Sequence, residues 1–239
     1  MMGKREKLNL KIFLVLLVVY ILASVYMRID YRIGYLVGFI IVNTVRKAFK
    51  ARAAFKAGDV TMVFEGKMGF NPINHIGIPD ILILSALILF RSPIIFGQGR
   101  NLEIKYRLFK DFRKGMLKVG LASIFSTLLV MLITGVLFKY HFQIFSLLHI
   151  GRDSYLFFNL GTLFSSTYIV ASSILLFNLL PLPGFDMFDM IYSYADDDLR
   201  TILHSINKYS FVFLILVIYV IVNTRIFTAI IYDLLRLIQ

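Results

Sequence analysis

The chain has 239 residues, 59% of them hydrophobic, with a mean hydropathy of +0.78. Soluble domains are about half apolar, so the composition excludes an ordinary soluble enzyme and points to an all-α polytopic membrane protein forming a single membrane-embedded domain over 1–239. The absence of cysteine excludes disulfides and thiolate metal sites. A net charge of +12 would suit a nucleic-acid binder, but the cations lie between apolar runs, where they set topology; the expected partner is the lipid bilayer, with no nucleic acid.

Residues 1–11 carry Lys4, Arg5, Lys7 and Lys11, and 12–27 is an almost unbroken apolar run. A signal-peptide core is only about 7–15 residues long. Residues 1–33 therefore read as a retained signal-anchor span with the N-terminus in the cytoplasm. Residues 31–45 recross the membrane, and the helix continues through RKAFKARAAFKAGD (46–59), rich in alanine and lysine, to a stop at Gly58. Val60 to Phe70, with Gly66 and Gly69, reads as a short β-hairpin near 60–70. Asn71, Pro72 and His75 follow. Segment 76–97 is apolar but interrupted by Pro79, Asp80, Arg91 and Pro93. The basic loop 98–115, with Tyr106, Phe109 and Phe112 among its cations, reads as an interfacial helix on anionic lipid. Residues 116–138 form a span and 139–153 a polar loop. The span 154–180 carries Asn159, Thr162, Ser165, Ser166, Thr167, Ser172, Ser173 and Asn178; such small and hydroxylic residues favour close helix packing, so this helix should be central. It ends in FNLLPLPGFDM (177–187), which places Asp186 at a membrane boundary, where a carboxylate is costly and needs a partner. An acidic loop with Asp189 and Asp196–Asp198 precedes the last span, 206–230.

Charge decides between two topologies. With 76–97 dipping in and returning, five spans leave 18 of the 26 Lys/Arg on the cytoplasmic side and six on the other; six true spans leave 14 against 10. The positive-inside rule favours five transmembrane helices plus a re-entrant segment, with six helices as the alternative. Only the five-span arrangement brings 46–56 and Asp186 out on one face.

Four blocks resemble the compact, single-domain branch of the site-2 protease family of intramembrane zinc metalloproteases, in order and spacing over 34–225: FKAGD (55–59), GFNPINHI (69–76), the stretch 96–123, and NLLPLPGFDM (178–187). The resemblance implies that Asp186 stands where the family has its third zinc ligand, and that Asn178, Asn71, Pro72 and His75 belong to the equivalent site. It also places the family's HExxH motif at 46–50. Two histidines at i and i+4 on one helix face bind zinc there, with the glutamate as general base on bound water. This chain has Arg46, Lys47, Ala48, Phe49 and Lys50 instead. Met187 replaces the glycine after the ligand aspartate, and the Ala-Gly-Pro block reads Ala122-Ser123-Ile124.

The expected protein is a pseudoprotease of a bacterial cell membrane, without metal cofactor or catalytic residues, binding a transmembrane protein or peptide. Abundant Phe, Ile and Lys with no Trp fits an AT-rich bacterial genome. Residues 46–56 read first as a basic helix end reaching to headgroups, with pairing of Arg46 or Lys50 to Asp186 as the sharper alternative. The alternative is an active zinc protease with an unconventional site drawn from His75, Asp186 and an acidic neighbour such as Asp189 or Glu65. His141, His149 and His204 have no paired metal spacing. His75 also reads as a loop anchor, Asn178 as a bundle hydrogen bonder, and Asp196–Asp198 as a solvated turn.

Overall fold

The computed structural model describes residues 4–90, 99 and 102–236. In chain order the helices are α1 (Lys4–Tyr26), α2 (Tyr31–Ala57), α3 (Thr61–Phe64), α4 (Pro72–His75) and α5 (Ile78–Leu89). A 3-10 turn (Tyr106–Leu108) leads into α6 (Phe112–Lys139), α7 (His141–Leu147), α8 (Tyr155–Asn178), α9 (Asp186–Tyr194), α10 (Asp197–Lys208), α11 (Ser210–Thr224) and α12 (Ile226–Arg236). Side-chain caps start several of them: Asp30 accepts from the Arg32 amide at 2.8 Å, Asp111 from that of Lys114 at 3.0 Å, and Ser154 from that of Phe157 at 3.2 Å.

The core is a three-helix cluster of α2, α6 and α8, each packed on the other two. Phe39 and Val42 of α2 meet Val130 and Met131 of α6 and Tyr168, Val170, Ala171 and Ile174 of α8. Gly38 permits the α2–α8 crossing, because a Cβ there would lie 2.9 Å from the Cα of Thr167. The sides of the cluster are inverted relative to a soluble protein. Ser123, Ser126, Thr127, Ser166, Thr167, Ser172 and Ser173 are buried, whereas Leu121, Phe125, Leu132, Ile133 and Val136 of α6 are exposed. An apolar outside around a hydroxyl-lined inside is the arrangement of a lipid-embedded bundle. α6 and α8 are long and apolar enough to cross a membrane, and α11 with α12 adds a third if the bent pair is one span. α8 also holds α1 and α12, the central position its composition implies.

Three expectations change. Residues 60–70 are not a β-hairpin: they form α3 and turns, and no strand occurs among the described residues. The Asp59 carboxylate accepts from the Thr61 amide at 3.1 Å and its hydroxyl at 2.6 Å, winding this β-prone stretch into a helical turn, with Gly66 at φ 67° beyond it. The loop before α6 is not an interfacial helix over its described residues. Its backbone is fastened to the end of α2: Lys105 N–H donates to Asp59 at 2.9 Å and Lys110 N–H to the Ala57 carbonyl at 3.0 Å. The last span is broken at Arg225, which has φ 53° and separates α11 from α12. Segment 76–97 is described only through residue 90; its return lies outside the described residues.

Candidate functional site

α2 runs to Gly58, as its sequence predicts. Gly58 has φ 131°, a backbone state open to glycine, and its amide closes the helix on Ala54 and Phe55. A Cβ there would lie 2.4 Å from the Leu108 carbonyl, so the same glycine lets the loop before α6 lie against the helix end. Near that end Asn43, Arg46, Lys47 and Lys50 follow one another at i, i+3, i+4 and i+7, a single helix face.

That face meets Asp186, 1% exposed in the first turn of α9. Lys50 Nζ donates to Asp186 Oδ1 in a short ion pair, and Arg46 Nη1 lies 3.5 Å from Oδ2. Ser123 Oγ of α6 donates to the same Oδ2 at 2.5 Å. Arg46 Nη1 also donates to Asn178 Oδ1 at 3.0 Å and Nη2 to Asn43 Oδ1 at 3.4 Å, while Asn178 Nδ2 donates to the Ile174 carbonyl at 2.7 Å. Side chains of α2 and α6 thus converge on a carboxylate of α9, with Asn178 of α8 holding Arg46, and the helix N-terminus adds a favourable dipole. A buried carboxylate without such partners would cost several kcal/mol. Asp186 pairs with both Arg46 and Lys50, the sharper of the two readings of 46–56 and not the plainer basic helix end, and Asn178 is a bundle hydrogen bonder.

The residues border a cavity of about 240 Å³ lined also by Lys47, Glu103, Tyr106 and Asp189. Asp189 lies one helical turn along α9 and accepts from Tyr106 Oη at 3.1 Å. Burial pushes its carboxyl above the ordinary range, the Asp186 charge adds to this, and Lys50 and Tyr106 oppose it. Burial and the same carboxylate push the Tyr106 phenol up.

The remaining candidates lie apart. His75 is fully buried, and its Nε2 pairs with the Gly69 carbonyl at 2.7 Å, while Nδ1 has no partner among the described residues. Burial lowers its pKa to about 4, so the ring is a neutral loop anchor. Asn71 caps α4, accepting from the Ile73 amide at 3.1 Å, with Pro72 at the first helical position. Glu65 is exposed at the end of α3. Asp196 caps α10 through the Leu199 amide at 2.9 Å, so the acidic run is a helix start. His141 stacks on Phe138, with ring centroids 5.4 Å apart. Ser123, Asn43 and Tyr106 are site members that the sequence reading did not single out. The signal for Ser123 was its place in the altered Ala-Gly-Pro block, with Ser126 and Thr127 continuing the polar face of α6.

Over 182 residues, the chain is 31% identical to a Bacillus subtilis (strain 168) protein named "Putative zinc metalloprotease YwhC". The match covers 74% of this chain and 76% of the relative. The chain therefore belongs to the site-2-protease-like family of membrane proteins that the motif order indicates. No protein-family model matches it, and no solved structure does.

The zinc implied by this kinship does not fit the residues present. Two basic side chains, Arg46 and Lys50, contact the carboxylate where the resemblance places two imidazoles. Among the described residues, no three His, Cys, Asp or Glu side chains gather where they could hold a metal ion. Of the unconventional set, Asp186 and Asp189 line one cavity, whereas His75 and Glu65 are not among its lining residues.

Proposed function

We propose that the chain is a catalytically inactive member of its family: a pseudoprotease that binds a transmembrane helix or extended peptide of another membrane protein, without zinc and without hydrolysis. The observation that carries this reading is the double pairing of Asp186. Arg46 and Lys50 neutralise the remnant carboxylate as a metal would, so the scaffold stays folded while the general base and both imidazoles are absent.

The topology proposed with it has five spans, a cytoplasmic N-terminus and a re-entrant 76–97. The Lys110–Ala57 and Lys105–Asp59 hydrogen bonds support it, because the chain leaves the end of α2 and returns to that same end before α6 begins. α5 has 12 residues and so rises about 18 Å, short of the roughly 30 Å hydrocarbon layer. The chain has no native cysteine, so single introduced cysteines report sidedness directly: Lys110→Cys and Lys56→Cys should label from one face and Lys139→Cys from the other.

Metal analysis of the purified protein tests the main proposal. The expected result is no stoichiometric zinc in the native chain, and zinc uptake by the triple variant Arg46→His, Lys47→Glu, Lys50→His. One zinc per native chain, lost in Asp186→Ala, would reverse the reading. Affinity capture from native membranes should enrich a membrane protein, and capture of none counts against the binding role.

A further inference from the structure

Beside the Asp186 cavity lies a second one of about 280 Å³. Its walls include four aromatic rings, Tyr106, Phe112, Phe188 and Tyr192, with the buried thioether of Met116. The Phe188 and Tyr192 rings are nearly parallel, 18° apart, with centroids at 6.4 Å. Among the described residues no lysine or arginine lines this pocket, and its histidine, His204, is exposed. Among the described residues, Asp189 is the one carboxylate in its wall, makes no salt bridge, and has the Tyr106 hydroxyl as its side-chain hydrogen-bond partner. Lys50, whose charge acts on it, is bonded to Asp186. Aromatic faces and a carboxylate without a bound cation are the two elements that attract an organic ammonium group, and the apolar walls suit a methylene stem.

We propose that this pocket binds an alkylammonium group, presented as the lysine side chain of a bound polypeptide. The assignment to a polypeptide rests on the partner-binding role above; the ammonium chemistry does not. The polypeptide is favoured over a lipid headgroup because Tyr106, Gly184 and Asp189 line both cavities, so a chain laid beside Asp186 passes the mouth of the aromatic pocket. The raised Asp189 carboxyl agrees with a group whose counter-ion comes from outside.

The test is titration calorimetry of the full chain in maltoside micelles with n-butylammonium chloride and, as its neutral counterpart, n-butanol. Butylammonium should bind at least about tenfold more tightly, in keeping with a desolvated cation–π and carboxylate site. Asp189→Asn should abolish that discrimination. Tyr192→Leu, which keeps the apolar volume, should weaken butylammonium binding about threefold with unchanged helical circular dichroism. Equal binding of the two probes, or discrimination that survives in Asp189→Asn, would overturn the site. A single-span peptide with a juxtamembrane lysine should compete with butylammonium, and its norleucine analogue should not. Competition by phosphatidylethanolamine nanodiscs but not by the lysine peptide would overturn the polypeptide assignment. Zinc in the same native preparation would overturn the pseudoprotease reading and leave the butylammonium result standing, so the two failures are distinguishable.

Discussion

Two carboxylates one turn apart on α9 have been given opposite environments. Asp186 is enclosed by Arg46, Lys50 and Ser123, and the charge it carries is matched within the protein. Asp189 faces aromatic rings and has one phenolic hydrogen bond and no cation bonded to it among the described residues. In the pseudoprotease proposed above, the carboxylate that zinc would have bound is held by the bundle instead, while its neighbour one turn on is the group proposed to meet a partner's cation.

Removing one member of the matched set should have the largest effect. Asp186→Ala leaves Arg46 and Lys50 facing each other without their anion and should cost about 3–5 kcal/mol in reversible unfolding from detergent. Replacing the whole set, as Arg46→Met, Lys50→Met and Asp186→Leu together, should recover most of that loss; failure to recover would mean the carboxylate does more than neutralise its neighbours.

The next effect isolates the comparison from its background titration. His75 is neutral in the fold with a pKa of about 4, against about 6.5 when unfolded. Between these values the unfolded chain takes up a proton that the folded chain refuses. The contribution is complete above pH 6.5 and is lost as pH falls toward 4, by about 3 kcal/mol in total. His75→Gln should flatten that window in a melting-temperature series, leaving the aspartates to be read alone.

Asn178→Ala removes the acceptor of an Arg46 hydrogen bond inside the matched set and should cost about 1.5–3 kcal/mol. Asp189→Asn should act in the opposite sense and be the smallest effect. Its raised carboxyl means that ionisation costs the folded state stability, absent below the ordinary carboxylate range and growing as pH rises through the folded value. The amide should therefore raise the melting temperature slightly at neutral pH and leave it unchanged in acid; a loss at neutral pH would show that Asp189 is matched after all.

Much of this was legible in the residues. FNLLPLPGFDM marked an aspartate at a membrane boundary, and the i, i+4 spacing of Arg46 and Lys50 put both cations on one face toward it. The hydroxylic run of 154–180 marked the central helix, and Gly58 marked the end of α2. What escaped was set by long-range contacts. Val60 to Phe64 has strand composition, and Asp59 overrode it through the hydrogen bonds its carboxylate accepts from Thr61. Ser123 reads as one more small residue in a span until α9 is packed beside it. The aromatic pocket joins residues from the loop before α6, α6 itself, α9 and α10, which no local period connects.

Asn159 of α8 fastens the turn between α1 and α2: its side chain accepts from the Ile29 amide at 3.0 Å and donates to the Met27 carbonyl at 2.8 Å. The partners are 130 residues apart in the chain. At ribosomal rates of roughly 5–20 residues per second, about 7–26 s pass between synthesis of the first helix and arrival of the amide that docks it. Docking of α1 on α8 therefore follows its synthesis by that interval, so closure of this contact is timed by translation of the helix that also carries Asn178.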